Sequence, residues 1–278
     1  MKMELRYASH PDDVKSYDTT KLRKEFLIEN LFIQDEISLV YSLYDRFIAG
    51  GAMPVTRELL LESADELKSE YFLERRELGI INIGGTAEIR AGDQVYKIGF
   101  KEALYLGKGT GKVVFRSVDP LKPARLYINS APAHHAYSSK KITLADAEIS
   151  VLGNPESSNY RTINKLLVNS VIQTCQLQMG MTELKAGSVW NTMPVHTHNR
   201  RMEAYFYFEV PERQAICHFM GSPDETRHIW MKNEQAVLSP SWSIHSAAGT
   251  SSYTFIWGMA GENQTFTDMD EIPMSTLK

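Results

Sequence analysis

The feature of this 278-residue sequence that most constrains its fold is a succession of short extended runs separated by turn residues. Glycine, aspartate or proline stands between most of these runs, and such residues are typical of tight turns. The pattern predicts an antiparallel sandwich or barrel and argues against a sheet whose strands alternate with long helices. Between residues 80 and 129 the runs are GIINI, TAEIRA, QVYKIGF, EALYLG, KVVFRSV and ARLYIN.

The strand pattern resumes in the second half of the chain, after a stretch with the composition of a linker. Gly, Pro, Ser and Asn crowd the segment from Leu152 to Arg161. The chain is long enough for two domains of ordinary size. We therefore expect an all-β chain of two antiparallel, jelly-roll-like barrels with a few short helices, one barrel over residues 1–152 and one over residues 153–278. The later runs are SVIQTCQLQMGMTEL, EAYFYFEV, QAICHFM, RHIWMK, QAVLSP and SYTFIWGM.

Two stretches place apolar residues at helical spacing. The first follows Asp18, a suitable N-cap, and carries Leu22 and Phe26 on one face. The second runs from Ser63 to Leu78, although its last part is equally compatible with a strand. We predict one short helix after Asp18 and leave the second stretch open between helix and strand.

Composition narrows the possible partners and the compartment. The chain has 30 basic and 34 acidic residues and a formal net charge of −4, so no basic excess indicates nucleic-acid binding. No segment approaches the ~20 apolar residues of a membrane span, and the N-terminus lacks the apolar core of a signal peptide. Cys175 and Cys217 form no CxxC pair, which predicts reduced, buried thiols. We expect a cytoplasmic protein without nucleic-acid or membrane partners.

A pair of histidines separated by one residue lies in MPVHTHNRRMEAYFYF, residues 193–208. On a helix, residues i and i+2 point roughly 200° apart, so His196 and His198 would face opposite ways. On a strand the two side chains share one face and lie about 6 to 7 Å apart. Pro194 and the following aromatic run favour extended structure. The pair can therefore share one ion if the segment is a strand.

Two later residues complete a plausible ligand set. Glu203 lies five residues beyond His198, a gap that a tight turn could fill, so that the chain returns as the neighbouring antiparallel strand. His245 follows in another extended segment, LSPSWSIHS. Three imidazoles and one carboxylate suit a borderline divalent ion. We predict a metal site formed by His196, His198, Glu203 and His245.

The order of these ligands resembles the two metal motifs of the cupin superfamily, which are small β-barrels with a metal inside the mouth. HxHxxxxE spans His196 to Glu203, and PxxxxH spans Pro240 to His245. Gly187 is placed for the glycine of the first motif, at a longer spacing than usual. The second motif usually reads PxGxxH, and Trp242 replaces its glycine here.

Nearly the whole chain is similar to the 4-deoxy-L-threo-5-hexosulose-uronate ketol-isomerases. This resemblance implies a bicupin subunit, one zinc ion per subunit on the four predicted ligands, a homohexamer, and a cytoplasmic role in breaking down pectin-derived uronates. The first half lacks HxHxxxxE, and His134 and His135 would point to opposite faces of an extended segment, so no metal is expected there. The resemblance is carried by LRKEFLIENLF, YFLERRELGIINIGG, CQLQMGMTEL, GSVWNTMPVHTHNRRMEAYFYF, SPSWSIHS and FIWGMAGEN.

The implied reaction moves a carbonyl group to the neighbouring carbon, and it needs a residue that transfers a proton. An enediolate intermediate is an oxyanion that a Lewis acid stabilises, while a hydride shift between the carbons is the competing route. Glu203 is the candidate for proton transfer, because it is the ligand most able to loosen. His218 and His228 are the alternatives, although lone histidines in strands are more often hydrogen-bonded wall residues.

The uronate carboxylate of the implied substrate calls for a cation beyond the metal. Arg201 shares strand parity with Glu203 and is the first candidate, with Lys165 as a point-charge alternative. Aromatic side chains could line the pocket, although strand aromatics are more often core residues. The wider arginine pool is Arg161, Arg200, Arg201 and Arg227, and the aromatic candidates are Trp190, Tyr205, Tyr207 and Trp242.

Two other functions remain open from the residues alone. The same donor set holds manganese, iron or copper in oxidases and dioxygenases of cupin architecture, so a redox metal and oxygen consumption would indicate a dioxygenase. A non-catalytic sugar-binding or storage cupin would bind ligand without turnover. Ordinary hexuronates are possible additional substrates of the isomerase.

Overall fold

The computed structural model describes residues 1–262 and 264–278, and almost all of its regular structure is β-strand. The strands of the first half are β1 (Lys2–Arg6), β2 (Leu27–Ile28), β3 (Ile37–Ser42), β4 (Ile48–Ala52), β5 (Leu59–Leu61), β6 (Arg76–Asn82), β7 (Ala87–Ala91), β8 (Gln94–Ile98), β9 (Ala103–Leu106), β10 (Val113–Ser117), β11 (Leu126–Pro132), β12 (Lys140–Ile142) and β13 (Glu148–Leu152). Those of the second half are β14 (Arg161–Leu167), β15 (Gln178–Leu184), β16 (Trp190–Asn191), β17 (His196–Thr197), β18 (Arg201–Phe208), β19 (Ile216–Ser222), β20 (Glu225–Met231), β21 (Gln235–Ser239), β22 (Ser246–Gly249), β23 (Thr254–Gly261) and β24 (Asp270–Glu271).

Helices are few and short, as the sequence predicts. The α-helices are α1 (Pro11–Val14) and α2 (Thr19–Phe26). The Asp18 carboxylate caps α2 by accepting a hydrogen bond of 2.8 Å from the backbone N–H of Lys21, which confirms the first predicted helix. The described helices include none with the length and apolar character of a membrane span. Short 3-10 turns occupy Asp65–Leu67, Phe72–Glu74 and Met274–Thr276.

The second helical candidate, Ser63 to Leu78, does not form an α-helix. It consists of two 3-10 turns followed by the start of β6. Phe72 and Leu73 are buried in the apolar core, and β6 forms ladders with β9 and β11 on its two sides. Tertiary packing therefore outweighs the helical propensity of this stretch.

Two compact units make up the chain, and each combines segments that are distant in sequence. The N-terminal unit comprises residues 1–6, 30–148 and 166–179, and the C-terminal unit comprises residues 7–29, 149–165 and 180–278. This division departs from a single boundary at residue 152 in three places, namely residues 7–29, 149–152 and 166–179. Residues 7–29 belong to the C-terminal unit because β2 pairs with β21 and the Arg23 guanidinium donates a hydrogen bond of 2.8 Å to the Trp230 carbonyl.

Residues 166–179 belong to the N-terminal unit, and one buried carboxylate helps to hold them there. Glu77 is fully buried and accepts hydrogen bonds from the backbone N–H groups of Cys175, Gln176 and Leu177, each of 2.8 Å. The Tyr105 hydroxyl donates a fourth bond to it, of 2.7 Å. These bonds satisfy the buried charge and hold residues 175–177 within the N-terminal unit.

The N-terminal unit is built from two sheets around an aliphatic core. A seven-stranded sheet has the order β1-β3-β4-β11-β6-β9-β12, and a four-stranded sheet has the order β5-β10-β7-β8. β1 and β3 are parallel, whereas the other described pairs in this unit are antiparallel. Apolar side chains from both sheets form one cluster that includes Leu39, Leu78, Ile80, Ile89 and Val113.

The C-terminal unit repeats this arrangement with a different interior. Its seven-stranded sheet has the order β13-β14-β15-β23-β18-β21-β2, and its four-stranded sheet has the order β16-β22-β19-β20. β18 lies between β21 and β23, and all eight of its residues are buried. The inner face of this strand carries polar side chains, beginning with Arg201 and Glu203. The prediction of two jelly-roll-like barrels is confirmed by these paired sheets.

Both cysteines are free thiols. Cys175 is buried, as predicted, whereas Cys217 is partly exposed on β19. Burial raises the pKa of each thiol, so neither has the thiolate character of a reactive cysteine.

Candidate metal centre

The predicted metal ligands come together inside the C-terminal unit. His196 lies on β17, His198 follows that strand directly, Glu203 lies on β18, and His245 immediately precedes β22. The rings of His196 and His198 lie with centroids 4.7 Å apart, as two side chains on one strand face should. β17 pairs with β24 rather than with β18, so the expectation that the two motif strands would be neighbours is wrong. The two-residue turn at 199–200 crosses between sheets instead.

The donor atoms of the four residues converge on one point. One ligand atom from each lies within 4.8 Å of every other. His196 Nε2 is 3.0 Å from His245 Nε2, and His198 Nε2 is 2.8 Å from Glu203 Oε1. Donor atoms around a tetrahedral zinc lie roughly 3.4 Å from one another. The arrangement therefore fits a single divalent ion after small side-chain adjustments.

Burial and orientation also match the needs of a metal. His198, Glu203 and His245 are almost fully buried. His198 Nδ1 donates a hydrogen bond to the Asp268 carbonyl, which fixes the tautomer with the Nε2 lone pair facing the cluster. That Nε2 has no hydrogen-bond partner of acceptable geometry among residues 1–262 and 264–278. An unsatisfied buried nitrogen beside a carboxylate is expected where a cation binds.

The ionisation states complete the fit. Burial lowers the pKa of His196 to about 3 and that of His245 to about 4, so both rings are neutral near pH 7. Burial alone would raise the pKa of Glu203, but His245, His198 and the Arg201 guanidinium lower it below its usual range. Neutral imidazoles and an ionised carboxylate are the forms that bind a divalent ion.

A cavity of about 230 Å³ opens beside this cluster. His196, His198 and Glu203 line it, whereas His245 is not among its described lining residues. The cavity is lined by both polar and apolar side chains. The remaining described lining residues are Leu152, Arg161, Ile163, Thr182, Thr192, Met193, Pro194, Arg201, Tyr205, Phe255, Trp257, Met259, Phe266, Met269 and Glu271.

Arg201 lines the cavity, but its guanidinium is already engaged. It donates hydrogen bonds of 2.8 Å to the Thr265 carbonyl and 3.2 Å to the Phe266 carbonyl. Its Nε lies 3.9 Å from Glu203 Oε1. Arg201 is only 2% exposed, so it holds the 265–266 segment against the cavity and balances the charge of Glu203.

Arg161 is more exposed than Arg201, the other arginine of the described lining. It is half-buried, and its Nη1 donates a hydrogen bond of 2.9 Å to the Asn159 carbonyl. Of the other three predicted substrate contacts, Tyr205 lines the cavity, and Lys165 places its Nζ 4.8 Å from the centre of the Phe266 ring. Trp242 is half-buried, and neither it nor Lys165 belongs to the described lining.

The alternative candidates lie farther from the cluster. His218 is fully buried, with its Nδ1 2.8 Å from the Tyr207 hydroxyl, and His228 is exposed on β20. Arg200 and Arg227 form surface ion pairs with Asp268 and Glu225. None of these side chains is among the described lining residues. Trp190 stacks on Phe219, while His134 and His135 are exposed.

Sequence reasoning missed several residues of the site. Thr192 lines the cavity with a left-handed backbone, φ 55°, which is uncommon for a β-branched residue and leaves no sequence signal. Asp268 and Glu271 come from the C-terminal segment, which carries no strand pattern. Their contribution depends on the pairing of β17 with β24, a contact between residues about 75 positions apart that local patterns do not reveal.

Comparison with known proteins identifies the relatives of this fold and site. The KduI/IolB family model matches residues 27–273. The chain belongs to the KduI/IolB family. A relative from Bacteroides fragilis, named 4-deoxy-L-threo-5-hexosulose-uronate ketol-isomerase, is 60% identical over 275 residues, which cover 99% of this chain and 98% of the relative. Such relatives are named as ketol-isomerases, which confirms the prediction that the chain is an isomerase.

Solved structures place the KduI/IolB fold among the cupins. A crystal structure of an IolB-like protein from Salmonella typhimurium LT2 superposes with a TM-score of 0.72 at 16% identity, covering 89% of this chain and 96% of that one. A variant of oxalate decarboxylase from Bacillus subtilis gives a TM-score of 0.55 at 9% identity, over 79% and 70% of the two chains. At such low identity these structures support the fold alone.

Proposed function

We propose that this chain is a zinc-dependent aldose–ketose isomerase. It would convert 4-deoxy-L-threo-5-hexosulose uronate, also called 5-dehydro-4-deoxy-D-glucuronate, to 3-deoxy-D-glycero-2,5-hexodiulosonate. The observation that carries the proposal is the convergence of three imidazoles and one carboxylate at the wall of a cavity, in a chain 60% identical to a protein named for that reaction. The cavity, of about 230 Å³, has room for a small acid.

His196, His198, Glu203 and His245 would hold the ion, one per subunit. When bound, zinc would supply a Lewis acid that stabilises negative charge on a substrate oxygen. Zinc suits these donors because borderline nitrogen and oxygen ligands match its preference, and because the reaction needs no change of oxidation state. The buried position of the ligands removes competing water and strengthens the electrostatic interaction.

Residues of this chain would transfer the proton and position the substrate. Glu203 Oε2 is our candidate acceptor for the carbon-bound proton, because Glu203 is ionised and lies at the cavity wall. Glu271 is the other carboxylate in the described lining, but it is exposed. Glu203→Gln should lose zinc or most of kcat, and Glu271→Gln should lose far less of either. Retention of both zinc and turnover in Glu203→Gln would reject the assignment.

Arg161 is the best candidate for the substrate carboxylate. A guanidinium offers two parallel N–H donors to a carboxylate, and the two terminal nitrogens of Arg201 each already donate a hydrogen bond to a backbone carbonyl. Tyr205 is the remaining predicted contact at the wall. The apolar lining residues, which include Trp257 and Phe266, would exclude water from the reacting carbons.

The route of the hydrogen can be followed with isotopes. Deuterium entering the product from solvent would support proton abstraction and an enediolate. Complete retention of a label placed on the reacting carbon would support a hydride shift instead. NMR spectroscopy of the product separates these outcomes without any assumption about which residue is the base.

The decisive test combines metal analysis with turnover. Purified wild type should contain about one zinc per chain and isomerise the uronate under anaerobic conditions, as followed by NMR. His245→Ala should lose both, while His228→Ala, a matched exposed histidine of the same unit, should keep both. Iron, manganese or copper with oxygen consumption and no isomerisation would indicate a dioxygenase. Ligand binding without turnover would indicate a sugar-binding cupin.

The cellular setting is part of the proposal as well. We propose a cytoplasmic homohexamer that acts in pectin-derived uronate catabolism and binds neither nucleic acid nor membrane. Family resemblance supports the assembly and the pathway, and the composition supports the lack of nucleic-acid binding. Light scattering of the purified protein would test the hexamer.

A further inference from the structure

A single turn of the C-terminal segment, residues 265–268, lies between Arg201 and the metal centre. The backbone N–H of Asp268 closes this turn with a hydrogen bond of 3.0 Å to the Thr265 carbonyl. Arg201 donates from Nη1 to the Thr265 carbonyl over 2.8 Å and from Nη2 to the Phe266 carbonyl over 3.2 Å. The guanidinium therefore holds the first half of the turn.

The end of the 265–268 turn contacts a proposed metal ligand. A carbonyl only accepts hydrogen bonds, so the bond between His198 Nδ1 and the Asp268 carbonyl places a proton on Nδ1. That tautomer leaves the Nε2 lone pair for an ion. The first and last residues of the turn are joined by the hydrogen bond that closes it. The position of the guanidinium thus influences the orientation of the His198 ring through four residues of backbone.

The strands on either side fix the chain before and after the turn. β23 ends at Gly261, which lies opposite Arg201. β24 pairs its two residues with β17, and the backbone N–H of Ile272 donates a hydrogen bond of 3.1 Å to the Val195 carbonyl. Between these strands, the guanidinium satisfies backbone carbonyls that a neighbouring strand would satisfy within a sheet.

Electrostatic attraction to the site does not account for a guanidinium at this position. Arg201 is buried, and a fixed positive charge beside the four ligands repels a divalent cation. Its Nε lies 3.9 Å from Glu203 Oε1 and has no hydrogen-bond partner among the residues that the structure describes. Its hydrogen bonds go to the two carbonyls of the turn instead. The geometry therefore favours a role through the turn over a direct bond to the carboxylate.

We propose that Arg201 is a positioning residue of the metal centre and acts on His198 through the 265–268 turn. The guanidinium holds the start of the turn, the turn places the Asp268 carbonyl, and that carbonyl fixes the tautomer and orientation of the His198 ring. The inference rests on the proposed function in one respect, namely that His198 is a metal ligand. Outer hydrogen bonds to ligating histidines commonly tune metal affinity.

The test measures zinc affinity independently of turnover. Metal-free protein is titrated with zinc in competition with a chromophoric chelator. Arg201→Met, which keeps most of the side-chain stem, should weaken zinc binding about tenfold or more. If Arg201 acted only through its charge, the same variant should bind zinc more tightly, because a repelling cation has been removed. The sign of the change therefore separates the two explanations.

A glycine inserted between Thr267 and Asp268 tests the turn without altering Arg201. Thr267 is exposed, and the insertion separates the carbonyls that the guanidinium contacts from the carbonyl that His198 contacts. It should weaken zinc binding by a factor similar to that of Arg201→Met. The two changes together should cause no further loss, because both break the same path. Additive losses would indicate independent effects and overturn the proposal.

Arg200→Met is the matched control. Arg200 is the neighbouring residue, carries the same charge and has a side chain that is 58% exposed, so this variant should bind zinc like the wild type. Cobalt(II) bound in place of zinc gives a second measurement, since its visible absorption bands depend on the arrangement of the ligands. The bands should change in Arg201→Met and in the insertion variant, and they should stay unchanged in Arg200→Met.

The remaining outcomes are distinct. Wild-type or tighter zinc affinity in Arg201→Met would overturn the positioning role, and a raised KM in that case would assign Arg201 to the substrate. If thermal unfolding shows that Arg201→Met does not fold, the insertion variant decides, and wild-type affinity there would overturn the proposal. A wild type that binds zinc but does not isomerise the uronate would overturn the proposed function and leave the positioning role standing. A wild type that binds no zinc would overturn both.

Discussion

The two units share one sheet topology but fill their interiors differently. β6 and β18 occupy the same place in their seven-stranded sheets, each between two antiparallel neighbours. Both strands begin with arginine, and the inward residues two and four positions later are Leu78 and Ile80 in β6 but Glu203 and Tyr205 in β18. Aliphatic side chains fill the interior of the N-terminal unit, whereas polar side chains of the C-terminal unit line a cavity. The scaffold is therefore common to both, and a few inward positions decide which unit has a site.

The strongest way to break this contrast is to make β18 resemble β6. Glu203→Leu should abolish zinc binding and lower kcat at least about 10³-fold, because it removes both the anionic ligand and the proposed proton acceptor. Zinc content and turnover are the measurements. Tyr207→Phe on the same strand should keep both. An active, zinc-loaded Glu203→Leu enzyme would place the functional site elsewhere.

The aliphatic interior should respond through stability rather than activity. Leu78 is fully buried in the core cluster, so Leu78→Ala should lower the free energy of unfolding by about 2–5 kcal/mol while zinc content per folded chain stays the same. Denaturant unfolding checks the first expectation. Leu60→Ala, at a residue 38% exposed in the same unit, is the control and should cost much less. Equal losses would contradict the packing assignment.

Removal of the metal should destabilise the protein through the C-terminal unit, because the proposed zinc ligands all lie there. Zinc that binds only the folded protein should stabilise it by about 2.7 kcal/mol when its free concentration is 100 times Kd. Calorimetry before and after chelation measures this difference, and activity should return when zinc is added back. Chelation should leave the stability of zinc-free His245→Ala unchanged. A shift in that variant would mean that the chelator acts elsewhere.

Substrate recognition should give a smaller effect confined to the polar interior. Arg161→Ala should raise KM about tenfold, equivalent to about 1.4 kcal/mol, through loss of a charge-assisted hydrogen bond. The change in kcat should be smaller. Arg200→Ala, whose side chain is 58% exposed, should leave both constants near the wild-type values. An unchanged KM in Arg161→Ala would remove Arg161 from the proposal.

The smallest effect should come from a carboxylate of the N-terminal unit. Asp35 accepts hydrogen bonds from the Thr56 hydroxyl at 2.6 Å and from the backbone N–H groups of Val55 and Thr56 at 2.8 Å. The Thr56 hydroxyl and these backbone donors hold the pKa of Asp35 well below its usual range. A lowered folded-state pKa stabilises the protein above the unfolded-state value of about 3.9, and this contribution disappears as the pH falls toward the folded-state pKa.

Asp35→Asn should therefore unfold at a lower temperature than the wild type near neutral pH, and the gap should narrow below about pH 4. Calorimetry across pH 3 to 7 provides the comparison. Asp93→Asn, in an exposed turn, serves as the control and should show no such narrowing. A gap that is constant with pH would mean that the carboxylate charge contributes nothing.

Sequence reasoning reached the barrel architecture and the clustering of four metal donors because both are encoded in short patterns. Alternation of apolar residues predicts strands, and the HxH spacing places two of the ligands on one strand face. It did not reach the pairing of β2 with β21 or of β17 with β24, since long-range pairing leaves no local trace. The hydrogen bonds from the Arg201 guanidinium to two backbone carbonyls also depend on the tertiary structure. Strand alternation predicts which face Arg201 lies on but not its hydrogen-bond partners.

The early segment that completes the C-terminal unit has a consequence for synthesis. β2 is translated more than 200 residues before its partner strand β21. Leu27 and Ile28 must therefore remain unpaired while the whole N-terminal unit forms, and a fragment starting at residue 153 would leave the edge of β21 open. Such an edge invites pairing with other chains. The two barrels are distinct compact units, but no single division of the sequence separates their residues.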